Sequence, residues 1–282
     1  MALSKGVMYA IMIVGLIVAF AAGLFTSPYV MPEEEPETMW DIVQERGKLI
    51  VGTDPYWPPY QYLDEGGNLI GFEVDLIEMI AERLDLTVEW KTLSFDAIIP
   101  EVKAKTIDLG VSGFSITPER LEEVQYVIPH SVTEGQVIML QSEAETRDIT
   151  ELTSLTELGD LGLTCATESG TTQESELMDL ITAGEIPSAT LTSYGSFAEA
   201  LTAMKTGIDH CVYAETPVTS WWILEAEQEQ EEPIVIIYRR PYWPVAFLAH
   251  LDSDILVAKI SGELAEIISE GELDELKATW KS

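Results

Sequence analysis

Ser112-Gly-Phe-Ser-Ile-Thr-Pro-Glu-Arg120 follows Ile107-Asp-Leu-Gly-Val111, a short apolar run with the pattern of a buried parallel strand. It leads into a segment rich in Glu and Leu that can start a helix, with Thr117 as N-cap and Pro118 at the first helical position. A strand that passes through Ser-Gly-Phe-Ser-Ile-Thr into a helix start gathers hydroxyls and backbone N–H groups in one small volume. Arg120 stands just beyond them. Hydroxyls, amides and a planar cation all donate to the same anion, so the stretch makes a receptacle for a carboxylate. The same residues also make an ordinary strand-to-helix turn with a surface Arg, and nothing inside the stretch separates the two readings.

Outward from this stretch, strands and helices alternate. Lys48-Leu-Ile-Val-Gly-Thr-Asp54 reads as a strand, preceded by a short helix over Trp40–Arg46 and followed by the rigid aromatic loop Pro55-Tyr-Trp-Pro-Pro-Tyr60. Asp64-Glu-Gly-Gly-Asn68 is a turn, and apolar residues recur at helical spacing from Val74 to Leu84. Leu86–Trp90 is a strand, and a helix runs from Phe95 to Lys105. That alternation predicts an α/β fold with a mostly parallel sheet, and the loop after Asp54 falls at a strand's carboxyl end, where such sheets bind ligands. Further on, Leu163–Thr167 and His210–Ala214 read as strands and Ser196–Thr206 as a helix.

The chain has 282 residues, 15 Lys+Arg against 49 Asp+Glu, and a formal net charge of -34. The length suits two compact domains or one domain in two lobes. With no basic face, nucleic acid is excluded as a partner, and so is an electrostatic hold on anionic lipid. A solvated surface accounts for the charge most simply, and the acidic shell of a high-salt habitat fits it as well. Residues 1–25 hold one Lys and then an uncharged apolar run, long enough for the roughly 20 residues a bilayer core requires. They read as a transmembrane anchor in preference to a signal segment, although Ala19-Phe-Ala21 could be a cleavage site. Either reading sends the acidic body out of the cytoplasm. Residues 26–44 are the tether and its approach, with Pro28, Pro32, Pro36 and Glu33-Glu-Glu35 before packing begins near Met39. Cys165 and Cys211 read as buried free thiols, or as one bridge if their strands are neighbours.

Several short motifs then fall in order. They are Gly52-Thr-Asp-Pro with Pro59-Tyr60, Gly71-Phe-Glu-Val-Asp-Leu76, Phe95-Asp-Ala-Ile-Ile-Pro100, and Ile107-Asp with Ser115–Arg120. Tyr126 with Pro129-His130, Gly170-Thr-Thr172, Ala214-Glu-Thr-Pro-Val218, and Gly271-Glu-Leu-Asp-Glu-Leu-Lys with Trp280 follow. Each is weak alone, but their order and spacing resemble the extracytoplasmic solute-binding proteins of polar amino acid ABC transporters, over nearly all of the chain after residue 45.

The resemblance implies a two-lobed periplasmic-binding-protein-like (type II) fold whose lobes are joined by two crossing hinge strands. Residues 45–134 would form the first part of lobe one, 135–245 the hinge and lobe two, and 246–282 the return to lobe one, with hinge strands near Gly135–Ile138 and Trp243–Ala246. It implies a protein that takes a free amino acid into the interlobe cleft and delivers it to an ABC permease with ATPase subunits, outside the cytoplasmic membrane. On the site it implies that Arg120 holds the ligand carboxylate, with Ser115, the backbone around Gly113 and Thr172 adding donors. Glu215 would hold the ammonium where the family usually has Asp, and Asp54 would answer the ammonium or a cationic side chain, or simply cap its turn. Trp57, Phe95 and Phe114 would wall the pocket, and Ser112 is a weaker contact. The acids of Gly71–Leu76 are expected to face water.

No nucleophile–base set stands out. His130, His210 and His250 are scattered, no spacing suggests a metal, and no cofactor is implied. Two other readings remain open. A cyclohexadienyl- or arogenate-dehydratase-like enzyme on this fold would use Glu215 or Asp54 as general acid, and a ligand-sensing module would need a separate signalling partner.

Overall fold

The computed structural model describes residues 37–281. Two five-stranded sheets, each flanked by helices, organise them into two α/β domains. In the first sheet the order across the sheet is Thr87–Thr92, Lys48–Thr53, Leu109–Gly110, Leu248–His250 and Val124–Tyr126. The first three run parallel, and Leu248–His250 returns antiparallel between its neighbours. The second sheet repeats this plan with Leu191–Tyr194, Cys165–Glu168, Cys211–Glu215, Gly135–Leu140 and Ile234–Arg239. There too three parallel strands lie beside an antiparallel fourth, Gly135–Leu140.

Parallel strands covered on both faces are apolar throughout, which is why Leu49, Val51, Leu109 and Val111 are all fully buried. The helix Phe72–Arg83 lays Phe72, Leu76, Ile77 and Ile80 against that core at the spacing expected of one face. Thr38 and Asp41 cap the Met39–Arg46 helix reciprocally, and Met39, Trp40 and Val43 are buried in the same core. The expected tether to residue 44 is therefore too long: its last residues belong to the folded body, because burying Trp40 and Val43 outweighs the loss of an extended chain.

The domains are joined by the antiparallel pair Ser131–Thr133 and Trp243–Val245. The second lies where a hinge strand was expected, but the first comes before Gly135. Gly135–Leu140 is hydrogen-bonded on both edges, to Cys211–Glu215 and to Ile234–Arg239, and so belongs to the second sheet. Pro129, which has no N–H, separates the ladder of the first sheet from the connecting strand.

Cys165 and Cys211 are register partners on adjacent parallel strands, both buried and both free thiols. The apolar run 1–25 lies outside the described residues. Among those described, no helix is long and apolar enough to cross a membrane.

Candidate functional site

Carboxyl ends of strands from both sheets converge on one narrow cavity, of which about 20 Å³ can hold the centre of a water molecule. From the first domain come Asp54, Trp57, Phe95, Ser112, Gly113, Ser115 and Arg120, and from the second Glu168, Thr171, Thr172, Gln173, Phe197 and Glu215.

Arg120 lies within the single-turn helix Pro118–Leu121, which Thr117 caps by accepting the Arg120 N–H, as its sequence predicts. Its guanidinium donates to the Ser115 carbonyl at 3.1 Å and, across the cleft, to the Gly170 carbonyl at 3.0 Å. It lies over the rings of Phe95 and Phe114, 5.6 and 5.4 Å from their centroids. None of the ion pairs among the described residues involves Arg120. Two backbone carbonyls orient the fork without neutralising it, so the guanidinium keeps its full attraction for an arriving anion.

Beside it the helix Thr172–Ala183 begins, capped by Thr171, whose hydroxyl accepts the Glu174 N–H. Helix N-termini favour anions, and this one points its first residues, Thr172 and Gln173, at the cavity that Arg120 borders.

Glu215 closes the strand Cys211–Glu215 and is buried, with its Oε1 accepting from the Ser115 hydroxyl at 2.8 Å. That bond joins the two domains. Burial pushes the Glu215 carboxyl up, against the downward pull of the Ser115 bond and of the Arg240 and Arg120 charges. Arg240 is itself held by Glu176 and does not border the cavity.

Asp54 caps its own turn, with Oδ1 accepting the Tyr56 N–H at 3.0 Å, and it borders the cavity as well. Burial pushes its carboxyl from the ordinary 3.8 up to about 7, opposed by the Tyr56 bond and helped by Asp96. A group whose pKa is raised on folding stabilises the fold below its unfolded pKa and loses that contribution as pH rises through the folded value. The ligand-free protein should therefore lose stability between about pH 4 and pH 7, by at most about 4 kcal/mol from this group. Urea midpoints of wild type and Asp54→Asn across that range check it: the variant should show the shallower decline.

Ser112 serves the first domain, its hydroxyl accepting from the Asp54 N–H at 3.3 Å and from the Gln61 amide at 3.0 Å. Gly113 has φ +60, and a Cβ placed there would lie 2.1 Å from the Trp57 ring. The bare backbone is what lets that ring lie against the loop. Gly113→Ala should displace Trp57, strain the left-handed backbone by about 1–2 kcal/mol, and weaken ligand binding at least tenfold, as read by titration calorimetry.

Phe114 is the one candidate residue that does not border the cavity. Gly113 and Ser115 border the cleft, whereas Phe114 lies in the core, where it stacks on Phe95 at 4.7 Å between centroids. Of the two acids in the Gly71–Leu76 motif, Glu73 does not face water, and Asp75 does so only in part. Glu73 is fully buried, accepting the Gly113 N–H at 3.0 Å and bonding His130 Nε2 at 2.8 Å, while Asp75 accepts from the Trp280 indole at 2.7 Å. Each acid meets a partner supplied by a distant stretch of chain, which local pattern does not reveal.

Sequence reasoning missed Glu168, Thr171, Gln173 and Phe197. Glu168 ends the strand Cys165–Glu168 just before the Gly170-Thr-Thr172 motif, and that position was the available signal. Among the described residues no group of three or more His, Cys, Asp or Glu is arranged to hold a metal.

The family described as "Bacterial extracellular solute-binding proteins, family 3" matches residues 49–282. A probable ABC transporter arginine-binding protein of Chlamydia trachomatis is 29% identical over 245 residues, covering 83% of this chain and 85% of that protein. An arginine-binding protein of Corynebacterium glutamicum is 27% identical over 259 residues, covering 89% and 81%. Among solved structures, an ancestral arginine-binding protein bound to arginine superposes with a TM-score of 0.74 at 26% identity, covering 84% of this chain and 99% of that one.

Proposed function

This chain belongs to the bacterial extracellular solute-binding proteins of family 3, and on that premise we propose that it binds an α-amino acid between its domains and delivers it to an ABC permease. The observation that carries the reading is the placement of Arg120 and Glu215 on one narrow cavity from opposite domains, a cation and an acid with no shared ion pair. A zwitterion presents a carboxylate and an ammonium, and each charge taken into a cleft costs several kcal/mol unless met. Arg120 with the Thr172–Ala183 helix start answers the first, and Glu215 the second. The Ser115 hydroxyl donates to Glu215 and holds that acid at the cavity.

The cavity's narrowness supports binding by closure. Only about 20 Å³ of it is wide enough to hold the centre of a water molecule, about one water's worth, so a ligand enters with the domains apart. Contacts made by both domains exist only when they are together, so ligand shifts the population toward the closed form that a permease would read. The energy for transport belongs to the ATPase partners. The named relatives are transport binding proteins, and the arginine in their names makes cationic amino acids the first candidates here. Location outside the cytoplasmic membrane follows from the family, with residues 1–25 as the anchor. Deleting residues 1–36 should convert a membrane-bound protein into one released to the soluble fraction; the same partition with and without them would exclude the anchor.

A thermal-shift screen of the common amino acids tests the function. Ligand at a hundredfold over Kd should add about 2.7 kcal/mol, a shift of several degrees. No shift with any amino acid, in a protein that unfolds cooperatively, contradicts the reading.

A further inference from the structure

Among the described residues Glu73 is the most deeply buried acid, yet it does not border the cavity. Its two oxygens serve different partners. Oε2 accepts the Gly113 N–H at 3.0 Å, and Oε1 bonds His130 Nε2 at 2.8 Å. The Glu73 backbone is committed as well. Its N–H donates to the Tyr60 carbonyl at 2.9 Å, and a Cβ on the nearby Gly71 would lie 2.1 Å from that same oxygen. Glu73 is thereby fixed by its main chain to the loop that carries Trp57, and it holds by its side chain the loop that carries Gly113. Both Trp57 and Gly113 border the cavity.

His130 belongs to the joint between the domains. It immediately precedes the connecting strand Ser131–Thr133, and its N–H donates to the carbonyl of Val245, on the other connecting strand, at 3.1 Å. Ser115, two residues after Gly113, pairs with Val245 too, in an isolated antiparallel bridge. We propose that Glu73 is a positioning residue for the ligand carboxylate: it holds the loop from Gly113 to Arg120 in its binding arrangement and, through His130, links that arrangement to the strands about which the domains turn. This rests on the reading that the cleft takes an α-amino acid. Buried hydrogen-bond networks whose members are all satisfied are rigid, so a shift at one end is felt at the other.

The position demands a carboxylate. His130 Nδ1 is sealed from solvent with no partner, so the ring proton belongs on Nε2, where Glu73 accepts it. Glu73 thus faces two N–H groups with two acceptor oxygens. An amide of the same size offers one acceptor and one donor. With its oxygen toward Gly113, its NH2 faces His130, whose proton must move to Nδ1, where nothing receives it. With its oxygen toward His130, its NH2 faces the Gly113 N–H, donor against donor. Glu73→Gln therefore breaks the link on one side or the other without changing its volume.

The test is titration calorimetry of wild type and Glu73→Gln with the best-bound amino acid, its deaminated acid and its decarboxylated amine. In the variant both ligands that carry the carboxylate should weaken on the order of tenfold, and the amine, which makes no use of the loop, should change less than about threefold. A merely structural role lowers the melting temperature and leaves the three losses equal. Equal losses, or none in a variant that melts cooperatively, overturn the proposal. Nitrogen NMR of the three histidines of wild type decides it even if the variant does not fold. Saturating amino acid should shift the His130 ring signals more than those of His210 and His250, although His130 does not border the cavity. A His130 signal unmoved by bound ligand overturns the proposal and leaves the amino acid reading intact. Wild type binding no amino acid overturns both.

Discussion

Arg120→Ala should abolish amino acid binding while leaving the fold in place. Truncating one member of a buried, hydrogen-bonded charge pair costs about 2–5 kcal/mol, which corresponds to a loss from about thirtyfold to several thousandfold in Kd. The upper half of that range is expected, because the guanidinium donates across the cleft to the Gly170 carbonyl as well as toward the ligand. Its removal takes away a contact between the domains together with the carboxylate's partner. The fold should tolerate the change, since Arg120 is only partly buried and forms no ion pair whose other member would be stranded. Calorimetry gives the affinity and a thermal melt gives the fold. An Arg120→Ala protein that melts like wild type and binds within tenfold of it would remove Arg120 from the carboxylate role.

Glu215→Gln separates the two ends of the ligand. Gln keeps the size and can still accept from the Ser115 hydroxyl, so the bond between the domains survives while the charge is lost. Affinity for an α-amino acid should fall on the order of a hundredfold, whereas affinity for the deaminated acid, which has no ammonium to lose, should change less than about threefold. Equal losses would show Glu215 to be a brace between the domains and not the ammonium's partner. Wild-type binding should also weaken on acidification at a higher pH than for an exposed carboxylate, because burial pushes the Glu215 carboxyl up and only its ionised form attracts the ammonium.

Local pattern carried the strands that run up to Asp54, Ser112, Glu168 and Glu215, the resemblance supplied most of the residues on the cavity wall, and both failed where partners come from far along the chain. The apolar strands before Asp54, Ser112 and Glu215 could be read because a buried parallel strand is apolar throughout and its carboxyl end is where an α/β sheet meets ligand. Thr117 and Pro118 marked their helix start by chemistry confined to a few residues. Glu73 could not be read that way. Its position in the first turn of an amphipathic helix suits a solvated acid, and only folding brings His130 and Gly113 to it. Phe114 was misplaced because its neighbours border the cleft while its own ring stacks on Phe95 in the core, a choice that only the folded loop makes. Glu168 was missed because a Glu at a strand's end is usually solvated, whereas this one is buried on the cavity wall. The hinge shifted because Gly135–Leu140 has the pattern of any buried strand, and only its two hydrogen-bonded edges assign it to the second sheet.

The central claim is that one zwitterion is held at both ends, its carboxylate on Arg120 and its ammonium on Glu215. It is tested most directly by calorimetric titration of wild type with the best-bound amino acid, its decarboxylated amine and its deaminated acid, side by side. Each analogue leaves one buried charge unanswered, so each should bind at least a hundredfold more weakly than the parent. Either analogue binding within tenfold of the parent would contradict the claim.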